Sequence, residues 1–218
     1  MRIFGVPGDL RAIIFDIDST LYTHAEYAHE QVDVQIRHFA KLRGMDEGEA
    51  RRTIESYREK VRRETGAAVS LGNALVSFGV PIEESVRWRE SLIEPALYLS
   101  RDERLVRAME GLSSLYELVA VTNNPVLPAR KTLDVLGVTA FFPTLIGLDT
   151  CGVSKPHELP FLTASRAAGV PVESCLSVGD RYDIDLALPL SMGMGGILVD
   201  GVEDVYLLGE LLKKTSSR

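Results

Sequence analysis

Five short apolar runs divide the chain, at residues 12–15, 118–121, 144–148, 175–178 and 196–199. Each run is rich in Val, Ile, Leu or Phe, and its apolar residues are continuous rather than alternating with polar ones. Continuous runs are typical of strands buried on both faces, as in a parallel sheet covered by helices. Helical patterns lie between the runs, so the sequence predicts an α/β fold with a Rossmann-like parallel sheet.

A polar residue stands at or just beyond the end of each run. These residues are Asp16, Thr122, Asp149, Asp180 and Asp200. In open α/β sheets, ligands bind just outside the carboxyl ends of the strands. We therefore expect functional side chains to collect at that edge of the sheet.

The long interval between Thr23 and Leu97 contains no pattern of a buried strand. Its apolar residues recur at steps of three and four, which predicts helices. Asp46 is a candidate N-cap, and Gly66 is a candidate helix end. The pattern thus predicts two domains, a discontinuous α/β core of residues 1–23 and 98–218 and an all-helical insertion of residues 24–97.

Composition and charge narrow the classes of partner. The chain has 218 residues, and its 31 acidic and 24 basic residues give a formal net charge of −7. This balance argues against nucleic acid as a partner, because a phosphate backbone needs a positive field. No apolar stretch approaches the length of a membrane span, and the first residues do not resemble a signal peptide. We expect a cytoplasmic monomer or homodimer with no membrane partner.

Two carboxylates follow the first run, at Asp16 and Asp18. Residues two apart in an extended backbone project to the same side, so both can converge on one substrate. Neighbouring carboxylates can also divide the work of nucleophile and acid/base, because their environments separate their pKa values. An isolated pair of this kind is also common in turns and helix caps.

Three further elements follow later runs. Thr122 and Asn123 offer a hydroxyl and backbone N–H groups, which can hold a phosphoryl oxygen. Lys155 offers a cation for an anion or a reacting carboxylate. Asp180 and Asp185 offer the oxygen ligands that Mg²⁺ prefers. Each element alone also fits a turn, a helix cap or a surface charge, but their joint occurrence at successive strand ends is hard to explain by capping.

The set resembles the four motifs of the haloacid dehalogenase superfamily. The matching segments are DIDST, TNN, the lysine of SKP and GDRYDID, and the core that they cover runs from about Ile13 to Asp200. Ser19 is the one departure, since glycine or asparagine is more usual there. The helical insertion resembles the helical cap of one large branch of the superfamily. The FDIDSTLY segment followed by such a cap is similar to pyrimidine 5'-nucleotidase-like members.

The resemblance implies a role for each matching residue. Asp16 would attack phosphorus and form an aspartyl-phosphate, and Asp18 would protonate the leaving oxygen and later activate water. Thr122 and the backbone of Asn123 would hold the transferring phosphoryl group. Lys155 would balance its charge.

The resemblance also implies a cofactor and a reaction. Mg²⁺ would be bound by Asp16, the backbone carbonyl of Asp18 and Asp180, with Asp185 as a supporting residue. The expected function is Mg²⁺-dependent hydrolysis of a small phosphorylated metabolite, either a sugar phosphate or a nucleotide monophosphate. Two alternatives stay open at this point, namely a phosphomutase of the same fold and a non-catalytic module that binds a phosphometabolite. A dehalogenase is disfavoured because its chemistry needs neither a metal nor a second aspartate.

Overall fold

A computed structural model describes residues 1–66 and 69–216. The chain forms two compact units, one made of Met1–Ala25 and Pro95–Arg218 and the other of Glu26–Glu94. Within the described ranges, no helix is both long and apolar enough to cross a bilayer.

The described residues form six strands and eleven α-helices. The strands are β1 (Arg2–Gly5), β2 (Ala12–Phe15), β3 (Glu117–Val121), β4 (Thr144–Ile146), β5 (Cys175–Gly179) and β6 (Gly195–Leu198). The helices are α1 (Ala25–Arg43), α2 (Glu47–Thr65), α3 (Leu71–Ser77), α4 (Ile82–Leu92), α5 (Glu103–Ser113), α6 (Val126–Leu136), α7 (Leu148–Cys151), α8 (Glu158–Ala167), α9 (Ala187–Ser191), α10 (Val202–Val205) and α11 (Leu208–Ser216).

All six strands belong to one sheet with the order β1-β6-β5-β2-β3-β4. Strands β2 to β6 are parallel, and β1 pairs antiparallel with β6 at the edge. The predicted α/β fold with a parallel sheet is confirmed. The order places β2 between β5 and β3, so three of the predicted site segments leave neighbouring strands.

The predicted strand ends agree with the structure to within one residue at four of the five runs. The exception is the run at residues 144–148, where β4 ends at Ile146 and α7 begins at Leu148. Strand β1 was not predicted from the sequence. Its residues are largely exposed, so it lacks the apolar run that marks the buried strands.

The register of the central strands aligns their carboxyl ends. Phe15, the last residue of β2, lies opposite Ala120 of β3 and Val178 of β5. Apolar residues of β2, β3 and β4 pack against α8 in a buried core that includes Ile14, Val119, Val121, Ile146 and Phe161. The burial of each such side chain contributes about 1.5–3 kcal/mol, so the strand ends project from a rigid base.

The second unit is helical and has an apolar core of its own. It contains α2, α3, α4 and the part of α1 beyond Ala25. Its buried core includes Ile36, Phe39, Ile54, Leu75 and Trp88. The predicted limits of α2 are also found. The side chain of Asp46 accepts hydrogen bonds from two N–H groups of the first turn, and Gly66 ends the helix with φ 74°.

Candidate active site

Asp16 is the first residue beyond β2, and its side chain is fixed on both oxygens. Its backbone N–H donates to the carbonyl of Val178 at 2.9 Å, which ties the residue to the end of β5. Oδ1 accepts a hydrogen bond from Lys155 Nζ at 2.7 Å, and Oδ2 accepts one from the Thr20 hydroxyl at 3.3 Å. Asp16 is only 3% exposed. A carboxylate in this setting is oriented before any ligand binds.

Lys155 is buried rather than exposed, with a relative exposure of 4%. Its ammonium group bridges Asp16 and Asp185, at 2.7 and 2.6 Å. Burial lowers the pKa of Lys155, but these two carboxylates outweigh burial and leave its pKa raised, so the side chain is a cation. Burial raises the pKa of Asp16 to about 7, against the opposing effect of Lys155.

Asn123 holds the loop that carries Lys155. Its Oδ1 accepts the backbone N–H of Lys155 at 2.7 Å, and its Nδ2 donates to the carbonyl of Lys155 at 3.1 Å. Such a double contact fixes both the position and the direction of the lysine backbone. The sequence predicts only a backbone role for Asn123, in phosphate binding, and gives no sign of this use of its side chain.

Asp18 accepts hydrogen bonds from the side chains of Tyr22, Asn124 and Thr122. Oδ1 accepts one from the Tyr22 hydroxyl at 2.8 Å. Oδ2 accepts one from Asn124 Nδ2 at 2.9 Å and one from the Thr122 hydroxyl at 3.2 Å. The structure thus brings Asp18 and Thr122 together at the sheet edge. Tyr22 and Asn124 were not among the predicted site residues, because a tyrosine and a second asparagine carry no distinctive spacing.

Asp16, Asp180 and Asp185 form a cluster in which one carboxylate oxygen from each lies within 4.8 Å of the others. Asp185 uses both oxygens elsewhere, since Oδ1 accepts from Lys155 and Oδ2 accepts from the backbone N–H of Arg181. Asp180 Oδ1 is buried and has no hydrogen-bond partner among the described residues. The Nε of Arg181 lies 3.7 Å from it, beyond hydrogen-bond range.

The donor set of this cluster fits a hard divalent cation. Carboxylate oxygens are the ligands that Mg²⁺ prefers, and it needs only one or two of them. Burial, followed by the nearby charge of Asp185, raises the pKa of Asp180. An unsatisfied buried oxygen of this kind is costly unless something binds it. Asp16 and Asp180 could therefore hold a metal, and Asp185 is placed to support Lys155.

Gly179 allows Asp185 to pack at the end of β5. A Cβ at residue 179 would collide with the side chain of Asp185. The hydroxyl of Ser177 in the same strand donates to the carbonyl of Asp185 at 2.7 Å. Glycine is therefore required at residue 179 because the side chain of Asp185 packs against its Cα, and not because of an unusual φ.

Two of the five polar strand-end residues are not part of the site, which corrects the expectation from the sequence. Asp149 lies within α7, and its Oδ1 accepts the backbone N–H of Val126 at the start of α6. Asp200 pairs with the N-terminal ammonium of Met1 at 2.7 Å. Each carboxylate thus accepts from a donor that is not one of the predicted site residues.

Comparisons with known proteins find relatives in sequence and neighbours in fold. Phosphoglycolate phosphatase of Xylella fastidiosa is 30% identical to the chain, over 84% of this chain and 77% of the relative. Glyceraldehyde 3-phosphate phosphatase of Methanopyrus kandleri is 24% identical, over 81% of this chain and 78% of the relative. A crystal structure of a HAD phosphatase from Thermococcus onnurineus superposes with a TM-score of 0.61 at 19% identity, covering 93% of this chain and 98% of that one.

The family of haloacid dehalogenase-like hydrolases matches residues 10–193. This range contains all of the motif residues that carried the resemblance, so the resemblance is confirmed. The closer likeness to pyrimidine 5'-nucleotidase-like members stays a prediction, since the relatives above are named for other phosphate esters. The chain belongs to the haloacid dehalogenase-like hydrolases.

Proposed function

We propose that the protein is a phosphatase that hydrolyses a small phosphorylated metabolite with Asp16 as nucleophile. This proposal rests on one observation: Asp16, Lys155 and Asp18 lie at the same edge of the sheet, and hydrogen bonds orient each of them. The phosphatase names of the relatives support the reaction class. Their named substrates support a phosphorylated small acid, aldehyde or sugar, in preference to a nucleotide.

In the first step, a carboxylate oxygen of Asp16 attacks phosphorus, and the bond from phosphorus to the ester oxygen breaks. The departing oxygen takes its proton from the carboxyl group of Asp18 and leaves as an alcohol. Lys155 keeps Asp16 aligned, and its positive charge offsets negative charge that builds up near the phosphoryl group. The products are the alcohol and an aspartyl-phosphate on Asp16.

In the second step, a water molecule attacks the phosphorus of the aspartyl-phosphate. Asp18, now a carboxylate, accepts a proton from that water, and the bond from phosphorus to Asp16 breaks. Inorganic phosphate leaves, Asp16 is again a carboxylate, and Asp18 is again an acid. The sum of the two steps is hydrolysis of one phosphate monoester by one water. Thr122, which follows β3, would donate its hydroxyl to a phosphoryl oxygen.

The same proposal includes Mg²⁺, held by Asp16, Asp180 and the backbone carbonyl of Asp18. The unsatisfied buried oxygen of Asp180 supports this choice. When bound, the ion would supply positive charge to the phosphoryl oxygens. We further propose that the helical unit, predicted as a cap of residues 24–97, selects the substrate.

The test measures phosphate release from a panel of phosphorylated acids, aldehydes, sugars and nucleotides, with Mg²⁺ or with a chelator. Asp16→Asn should abolish release from every substrate, because an amide is a poor nucleophile. Asp149→Asn is the matched control, since it changes a carboxylate near the same sheet edge and keeps an oxygen for the N–H of Val126. Isomerised product without phosphate release would favour a mutase. Binding without turnover by the wild type would favour a non-catalytic module.

A further inference from the structure

Tyr22 and Asn124 each contact a different oxygen of Asp18. The Tyr22 hydroxyl lies 2.8 Å from Oδ1, and Asn124 Nδ2 lies 2.9 Å from Oδ2. Tyr22 is only 3% exposed, so its hydroxyl is held within packed protein. Contacts on both oxygens fix the rotation of a carboxyl group, which a single contact leaves free. Neither residue has a role in the reaction as proposed above.

A third contact to Asp18 comes from Thr122, whose hydroxyl is also proposed above to bind the phosphoryl group. The Thr122 hydroxyl lies 3.2 Å from Oδ2, and its oxygen accepts the backbone N–H of Asn124 at 3.1 Å. A hydroxyl has one proton to donate. If Thr122 donates to a phosphoryl oxygen during the reaction, it no longer donates to Asp18. The contacts of Tyr22 and Asn124 with Asp18 do not depend on that proton and can still orient the acid.

The contacts of Tyr22 and Asn124 also differ in whether they permit a proton on the Asp18 oxygen that they touch. A tyrosine hydroxyl can donate or accept, so it tolerates both a carboxylate and a protonated carboxyl oxygen. The amide nitrogen of Asn124 only donates, so Oδ2 must remain an acceptor while this contact holds. The transferable proton therefore fits on Oδ1, next to the Tyr22 hydroxyl.

We propose that Tyr22 and Asn124 are positioning residues that aim the proton on Oδ1 of Asp18 at the leaving oxygen. The proton passes from Oδ1 to the ester oxygen as its bond to phosphorus breaks, and Oδ1 later takes a proton from the attacking water. This inference rests on the proposed function, because it assumes that Asp18 is the acid/base.

The test uses Tyr22→Phe and a series of phosphate monoesters whose leaving groups range from alkoxides to p-nitrophenolate. A misdirected acid slows the departure of poor leaving groups, whereas p-nitrophenolate leaves without a proton. For Tyr22→Phe we expect kcat/KM on alkyl phosphates to fall about tenfold, which corresponds to the loss of one hydrogen bond. On p-nitrophenyl phosphate we expect a fall of less than about twofold. A plot of log kcat/KM against leaving-group pKa should become steeper.

Tyr206→Phe is the matched control. Tyr206 also donates its hydroxyl to an aspartate, Asp102, but at a place outside the active site. The substitution therefore removes the same kind of contact from the same unit of the chain, and the leaving-group plot should keep the wild-type slope. Asn124→Ala is a second variant, which removes the contact to Oδ2 and should steepen the plot in the same way, even if Tyr22→Phe fails to fold.

Asp18→Asn separates the two ways in which the idea can fail. If Asp18→Asn steepens the plot while Tyr22→Phe and Asn124→Ala both keep the wild-type slope, the positioning role is wrong and the proposed function stands. An equal loss on all substrates in both variants would also overturn it, because that pattern indicates a structural role only. If Asp18→Asn itself keeps the wild-type slope, Asp18 is not the acid, and both the proposed function and this inference fall.

Discussion

Asp16→Asn should make the metal-free protein more stable, by an amount that grows with pH. Burial raises the pKa of Asp16 from its ordinary 3.8 to about 7. Between these two values the folded protein keeps a proton that the unfolded chain has lost. The free energy of unfolding of the wild type therefore falls as pH rises through this window. Asparagine does not titrate, so the variant lacks this fall.

The size of the effect follows from the same two values. Each pKa unit corresponds to about 1.4 kcal/mol, so a shift from 3.8 to about 7 corresponds to at most about 4 kcal/mol. Near pH 4 the wild type carries a neutral acid at this position, and the two proteins should be nearly equal in stability. Near pH 8 the variant should be more stable by a few kcal/mol, a large part of the stability of an ordinary domain.

Urea unfolding in the presence of a chelator, at several values between pH 4 and pH 8, measures this difference. Asp149→Asn serves as the control and should follow the wild type at every pH. Adding millimolar Mg²⁺ at pH 8 should then stabilise the wild type more than Asp16→Asn, because the ion binds an ionised carboxylate. A difference between Asp16→Asn and the wild type that stays constant with pH, or that shrinks as pH rises, would refute the reasoning about burial.

Three further predictions test other parts of the molecule. Asp180→Asn should raise the Mg²⁺ concentration needed for half-maximal activity and weaken Mg²⁺ binding in calorimetry, and unchanged values would remove Asp180 from the metal site. Ser19 has φ 60°, which glycine adopts without strain. Ser19→Gly should therefore raise the free energy of unfolding by up to about 1 kcal/mol, and a lower midpoint of unfolding in urea would contradict this prediction. Replacing residues 26–94 with a short linker should reduce turnover of larger metabolites more than that of acetyl phosphate, and equal losses with a folded core would argue against a role in selectivity.

The parallel sheet could be predicted because its strands are buried on both faces. Burial forces a continuous apolar run, and five such runs were visible in the sequence. Strand β1 gave no such signal, since Ile3 and Phe4 are exposed at the edge. The early end of β4 also had no signal, because Leu148 continues the apolar run although it begins a helix. An apolar residue marks burial and does not by itself distinguish a strand from a helix.

The candidate site could be predicted only as a set of residue types at strand ends. Asp16 and Lys155 are 139 positions apart, and only the fold brings them within 2.7 Å. The burial of Lys155 ran against the usual exposure of lysine. Asn124 lies next to a predicted residue, but its contact with Asp18 spans 106 positions and depends on the pairing of β2 with β3. Contacts of this range have no local pattern, so the sequence could not indicate them.

The balance of charge at the site connects its stability with its proposed cofactor. Four acidic side chains lie close enough to Arg181 to raise its pKa, namely Asp16, Asp18, Asp180 and Asp185. The positive charges near them are those of Lys155 and Arg181. Four acidic groups outnumber the two cations, so the site keeps an excess of negative charge even when Asp18 holds the proton needed for the first proposed step. Without a cation, part of this excess is relieved when Asp16 holds a proton, in keeping with its raised pKa. The buried cluster thus lowers the stability of the metal-free protein in the pH range where the nucleophile must be ionised. Mg²⁺ binding would restore that stability, because the ion binds the folded protein. The same positive charge would prepare the site for an anionic substrate.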